Sequence, residues 1–289
     1  MSRPLATALD KLLGQLGDAP SSLFTAEQRK SLEIFSRQTG CVKMRPQGRG
    51  VVFTVTDRAA LETHLRSHRP ESAESLPENL PQRATNVATH RDSKARGAAH
   101  AVHYLLLKAA GENVHWTHSD GRVLDLSSVT AAAGAGVLAI QNGDGWTSNQ
   151  PLWLVENQAL FDRTDWLPND TRASIAYYAG QLPARVLSWL SNVARAPEVV
   201  LFPDYDGVGL QNYVRLRDHC KSPCLFWLMP GWRELLVKYG SNRVWQDTHA
   251  EFLAATQRLL RLAAPPELIE LCELMSREGR ALEHEAVWL

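Results

Sequence analysis

Two amphipathic stretches, about residues 3–16 and 25–39, open the chain, and their apolar spacing predicts helices. Thr25-Ala-Glu-Gln28 fits a capping box at the start of the second, and Gly40 stops it. Val42-Lys-Met-Arg-Pro-Gln-Gly48-Arg-Gly50-Val-Val-Phe-Thr-Val55 reads as two short strands around a glycine-containing turn, after which Asp57 caps a helix to about Arg66. Residues 70–89 are polar and carry Pro70, Pro77 and Pro81, the composition of a linker. A helix of about 98–110 is expected next, ending at Gly111. Residues 113–145 alternate short β-like runs with turns at Asp120-Gly121 and Gly143-Asp144-Gly145, as an antiparallel edge or an insertion beside a larger sheet would.

From residue 151 the pattern becomes a regular alternation of strand and helix: strands 152–156, 174–178, 198–203 and 224–228, with helices near 158–163, 183–194 and 208–219 between them. Such alternation implies a mainly parallel sheet flanked by helices, an α/β fold. Helices at about 231–239, 244–263, 266–276 and 280–287 close the chain. The expected organisation is a winged-helix-like unit over 1–69, a linker over 70–93, a connecting α+β segment over 94–150 and an α/β domain over 151–289. Ligand sites of parallel sheets lie outside the carboxyl ends of the strands, where Glu156, Gly180, Asp204 and Asp206 all fall.

A chain of 289 residues with 44% hydrophobic content can bury a substantial core. No apolar run approaches the roughly 20 residues that span a bilayer, and the polar start Met1-Ser-Arg-Pro lacks the apolar core of a secretory signal, so a cytoplasmic protein with no membrane partner is expected. Four cysteines, Cys41, Cys220, Cys224 and Cys272, are too few and too unevenly spaced for a disulfide framework. His219-Cys220 and Cys224 make one half of a zinc pattern without the second pair at ligand spacing. His100 and His103 would share a helix face, but no carboxylate partner lies near them in sequence. The nine tryptophans are scattered, as packing residues are.

The zero net charge hides an asymmetry. Residues 1–110 carry 16 Lys+Arg against 10 Asp+Glu, whereas 111–289 carry 15 against 21. A basic front half attracts a polyanion, and a carboxylate-rich remainder repels phosphate unless cations intervene. Lys43, Arg45 and Arg49 lie on or beside the expected wing, and Arg91, Lys94 and Arg96 form a second basic cluster; all six are candidate contacts to the backbone of double-stranded DNA.

Glu156 and Asp204-x-Asp206 place carboxylates where a hard divalent cation, Mg2+ or Mn2+, can be held without a full protein cage. Gly207 and Gly209 let the following helix begin close by, its amino terminus facing an anion. Each acidic motif taken alone is equally a helix cap or turn former.

A glutamate after one strand, a glycine after the next and Asp-x-Asp after the third, here Glu156, Gly180 and Asp204 with Asp206, resemble the Toprim domain of topoisomerases, primases and nucleases. Val155-Glu-Asn157-x-x-x-Phe161, Gly180 ahead of Leu187-x-Trp189-Leu190, and Asp204-x-Asp206-x-x-Gly209 are more specifically similar to the nuclease subunit of Wadjet-type plasmid-defence systems, a relative of the topoisomerase VI A subunit. Leu282-Glu283-His-Glu285 resembles the Leu-Glu-Gln-Glu of that group, so Glu283 and Glu285 join the candidate metal ligands. The resemblance implies an anti-plasmid or anti-phage DNA nuclease, a homodimer and an SMC-like ATPase partner. Two departures matter. No tyrosine precedes Tyr104, which disfavours a covalent topoisomerase-like break and leaves hydrolysis, and Val208 stands where Asp-x-Asp-x-Asp proteins have a third aspartate.

The same Asp-x-Asp occurs in haloacid-dehalogenase-like phosphotransferases, but there it follows the first strand. No Walker-type loop is present, which argues against ATP use by this chain. A non-catalytic adaptor, binding DNA or a larger complex through a degenerate or regulated Toprim domain, is the second function class open to this sequence.

Overall fold

The computed structural model describes residues 3–48, 50–68, 76–90, 92–94, 100 and 102–289. The chain divides into two compact units, residues 1–100 and 101–289. In the first, α1 (Arg3–Leu13) turns Leu5, Ala8, Leu9 and Leu12, spaced three and four apart, onto one buried face. A short strand, β1 (Ala19–Pro20), precedes α2 (Ala26–Thr39), which begins at a capping box in which Thr25 and Gln28 each accept from the other's backbone N–H. The helix ends at Gly40, whose φ of 70° lies in the left-handed region that lets a helix stop without strain.

The hairpin of β2 (Val42–Gln47) and β3 (Gly50–Val55) forms an antiparallel three-stranded sheet with β1, in the order β1-β3-β2. With α3 (Arg58–His68) these elements close around Leu9, Leu32, Phe35, Phe53 and Leu61. Residues 82–90, expected within a linker, are helical as α4 (Gln82–His90), which starts directly after Pro81. The linker positions 70–75 lie outside the described residues.

The second unit is built on a six-stranded sheet. Its first strand, β4 (His103–Ala110), occupies the span expected to be a helix. That correction also separates His103 from His100, which do not share a helix face. Two short strands follow, β5 (His115–Thr117) and β6 (Val123–Asp125), then α5 (Leu126–Ala133), β7 (Gly136–Ile140) and β8 (Thr147–Ser148). β5, β6 and β8 form a small antiparallel sheet of their own, whereas β7 pairs antiparallel with β4. An ion pair between the buried Arg195 guanidinium and the largely covered Asp144 carboxylate, 3.0 Å, fastens the loop before β8, and Asp144 also accepts from the Trp189 indole.

The remaining elements alternate: β9 (Leu152–Val155), α6 (Gln158–Asp162), β10 (Ala173–Tyr177), α7 (Ala184–Asn192), β11 (Val199–Phe202), α8 (Gly207–His219) and β12 (Cys224–Phe226). The sheet order is β12-β11-β9-β10-β4-β7, with the first four strands parallel, β4 antiparallel to β10 and β7 antiparallel to β4. Every residue of β9 and β11 is buried, as the strands of a sheet covered on both faces must be. Helices α9 (Trp232–Tyr239), α10 (Asn242–Asp247), α11 (His249–Arg261) and α12 (Pro266–Glu278) complete the unit. The single helix expected over 244–263 is divided at Thr248, and the helix expected over 280–287 is a 3-10 turn at His284–Trp288. The fold is thus mixed α/β around a mostly parallel sheet. Among the described residues no helix is long and apolar enough to cross a membrane.

Candidate metal centre

β11, β9 and β10 lie side by side and parallel, with Phe202 opposite Val155 and Val155 opposite Tyr177. The residues just beyond these strands therefore gather at one sheet edge: Glu156 after β9, Tyr178 after β10, and Asp204 and Asp206 after β11. A fourth segment joins them from far along the chain. Tyr205 and Leu282 form an antiparallel bridge, with backbone bonds of 2.8 and 3.0 Å, and Ser241 pairs with Ala281 in the same way. This clamp brings Glu283, His284 and Glu285 beside Asp204, whose Oδ1 accepts the backbone N–H of His284 at 2.9 Å. All five acidic residues expected at the site thus approach the same edge.

Burial and mutual repulsion act together on these carboxyls. Glu156 is pushed up from 4.5 to about 8, mainly by burial and then by the charges of Asp204 and Asp206. The Tyr178 hydroxyl, which donates to Glu156 Oε2 at 3.3 Å, opposes the shift only in part. Asp204 rises from 3.8 to about 6 through burial, with Glu285 and Glu283 adding repulsion against the favourable His284 N–H. Asp206 rises to about 6 for the same leading reason, opposed by the Gly209 N–H and reinforced by Asp204 and by Glu251 of α11. Burial holds the His284 imidazole below its ordinary value, while Glu285 pulls the other way. Raised carboxyls crowded at a sheet edge make a candidate cation site, since a positive charge there would offset both burial and repulsion.

The side chains are not equivalent. Asp206 caps α8, its Oδ1 accepting from the Gly209 backbone at 2.7 Å, so the structural role open to it in the sequence is real. Among the described residues, the group of metal-capable side chains that closes to within 4.8 Å, one ligand atom each, is Asp204, His284 and Glu285. Glu156 and Asp206 stand outside that tight set, and Glu283 is exposed. Glu285 is steered by the Asn157 amide, which donates to Oε1. Gly180 lies in the left-handed region at φ 67°, and its carbonyl accepts from Asn212 of α8 at 3.2 Å.

No protein-family model matches the chain, and no curated protein matches its sequence.

His284, Tyr178 and Glu251 were not singled out in the sequence. His284 had a signal, since it sits inside Leu282-Glu283-His-Glu285 where the resembling group has glutamine. Tyr178 had a weaker one, its position one residue beyond a buried strand. Glu251 had none, because it reaches the site through the packing of α11 on α8.

The basic candidates belong to the other unit. Lys43 and Arg45 occupy alternate, exposed positions of β2 and so share a face. Arg45 is already engaged, 2.8 Å from Asp18 Oδ2 and 3.1 Å from the Thr54 hydroxyl. Lys94 is exposed in a turn held by Asp92, which accepts its backbone N–H. Arg49, Arg91 and Arg96 lie outside the described residues. All four cysteines are free thiols, and the group containing His219, Cys220 and Cys224 does not close into a three-ligand cluster.

Proposed function

We propose that this chain is a divalent-metal-dependent DNA nuclease with a Toprim-like centre, hydrolysing phosphodiesters in double-stranded DNA. One observation carries the reading: carboxylates from β9, β11 and the carboxyl-terminal segment converge on one sheet edge, where burial and repulsion raise Glu156, Asp204 and Asp206 together. Asp204, Asp206 and Glu156 would hold Mg2+ or Mn2+, with Glu285 beside them. A cation held there would neutralise phosphate charge and supply an activated water for attack on phosphorus. The chain's own groups set the geometry. Tyr178 orients the Glu156 carboxyl, the His284 N–H fixes Asp204, and the Gly209 N–H fixes Asp206. The first turn of α8 is engaged in holding the site, its Gly209 N–H on Asp206 Oδ1 and its Gly207 N–H on the Thr248 hydroxyl.

A basic amino-terminal unit with Lys43 and Lys94 exposed is suited to the DNA backbone. The absence of a tyrosine before Tyr104 favours hydrolysis over a covalent intermediate. A homodimer, an SMC-like ATPase partner, a role in defence against plasmids or phages and a cytoplasmic setting belong to the same proposal and rest on the motif resemblance. The test is cleavage of supercoiled plasmid in Mg2+ or Mn2+ by the wild type, Glu156→Gln and Asp204→Asn, each alone and with candidate partner subunits. Nicked or linear products from the wild type, reduced at least about 100-fold in both variants, support the nuclease. Equal DNA binding by all three without cleavage under any condition replaces it with the adaptor reading.

A further inference from the structure

His284 presents an unsolved polar problem. Its side chain is fully buried; neither ring nitrogen makes a well-formed hydrogen bond, and the Pro203 carbonyl is a backbone acceptor beside the ring. Nδ1 lies 3.3 Å from Asp204 Oδ1, and Nε2 lies 3.9 Å from Glu285 Oε2. A neutral imidazole carries one donor and one acceptor, whereas a carboxylate only accepts. One ring nitrogen therefore turns a lone pair toward a carboxylate oxygen in a water-poor setting. Leaving such a group unpaired forfeits its hydration with nothing in return, and native structures rarely tolerate it without a partner.

The surroundings hold the ring where it is. The Leu282–Tyr205 bridge fixes the backbone two residues earlier, the His284 N–H is tied to Asp204, and the ring packs on Phe202 with centroids 5.3 Å apart. Glu285 is independently oriented by Asn157. Two anchored carboxylates and a fixed, unpartnered imidazole, with ligand atoms all within 4.8 Å, are a donor set rather than a loose acidic patch.

We propose that His284 is a metal ligand and that Asp204, His284 and Glu285 form a distinct cation position that accepts a first-row transition ion such as Mn2+ in preference to Mg2+. The imidazole supplies the preference, because nitrogen suits transition ions and Mg2+ takes oxygen donors almost exclusively. Asp204 is shared with the carboxylate set described above, so the position deepens the nuclease reading and rests on it for its use, though not for its occupancy. It also supplies a donor that Val208 cannot.

Pulsed electron paramagnetic resonance of the full chain titrated with Mn2+, with and without duplex DNA, tests the assignment directly. The wild type should show a 14N coupling from a directly bound imidazole. His284→Gln should lose that coupling and bind Mn2+ about tenfold or more weakly, with Mg2+ affinity changed less than about threefold. Glu285→Gln should weaken Mn2+ binding but keep the 14N coupling in the fraction bound, which preserves the test should His284→Gln fail to fold. Mn2+ bound with oxygen couplings alone overturns the proposal and leaves the nuclease reading standing, provided plasmid is still cut. A wild type that binds no Mn2+ under either condition overturns both.

Discussion

Removing the Asp206 side chain and neutralising its charge are different experiments. Its Oδ1 accepts from the first turn of α8, a contact that asparagine also makes and alanine cannot. Both substitutions remove the charge but only alanine also removes the cap, so Asp206→Ala should be about 1 kcal/mol less stable than Asp206→Asn in urea denaturation. Both should lose divalent-dependent plasmid cleavage under the proposed function; an active Asp206→Asn would reduce the residue to a cap. This duality explains what single-residue reading could reach. The acidic type and strand-end position of Glu156, Asp204 and Asp206 were visible in sequence, because they follow apolar runs. The partners that tune them were not, since Tyr178, Glu251 and His284 are 22, 45 and 80 or more positions from the carboxylates they address, and only folding brings them together. The chemistry of a lone histidine in a polar stretch says nothing about burial, yet complete burial is what makes His284 informative.

At the scale of elements, the site depends on how closely α8 approaches β11 and α11. A Cβ added to Gly209 would meet the Asp204 carbonyl oxygen at 2.0 Å, and one on Gly207 would meet the Thr248 carbonyl at the same distance. Both obstacles are backbone, which cannot swing aside. Gly209→Ala should cost about 1–3 kcal/mol through overpacking and displace Asp204, reducing divalent binding as well as melting temperature. Gly180 is the contrast: its φ is 67° but nothing lies within 4 Å of an added Cβ, so Gly180→Ala should cost about 1 kcal/mol from backbone strain alone and leave divalent affinity unchanged in calorimetric titration. Equal loss of affinity in both variants would break this link between helix approach and site geometry. The alternation of β9 to β12 with α6 to α8 was legible because fully buried strands read as short apolar blocks. β4 was not: His103-Tyr-Leu-Leu-Leu-Lys-Ala-Ala110 has no clean period, its leucines and alanines favour helix, and pairing on both sides with β10 and β7 overrides that preference. The carboxyl-terminal segment hides its structure for a related reason. Its polar helix-like composition gives no hint of the two backbone bridges that make it part of the site.

Across the whole molecule, the cost of gathering these groups appears as a dependence of folding stability on pH and cations. Glu156 titrates near 4.5 when unfolded and about 8 when folded, so between those values the folded chain holds a proton that the unfolded chain has released. Stability then falls as pH rises through this window, and the full penalty is present above about 8. Asp204 and Asp206 act with the same sign between 3.8 and about 6. His284 has the opposite sign: its lowered value means the unfolded chain takes up a proton first as pH falls below 6.5, so it favours folding at higher pH. Comparison with Glu156→Gln isolates the largest of these effects from the rest of the protein. In EDTA the variant should match the wild type near pH 4.5 and exceed it at pH 9 by on the order of 2 kcal/mol, the gap widening steadily between. A cation that binds only the folded carboxylates replaces the proton, so it should raise the wild-type melting temperature more at pH 8 than at pH 5, where protons already occupy the site. At a concentration 100-fold above its dissociation constant the gain is about 2.7 kcal/mol, and Asp204→Asn should abolish most of it. A gap between wild type and Glu156→Gln that does not change with pH would mean that Glu156 is neither buried as a charge nor held among like charges, and the cation would lose its electrostatic reason to bind there.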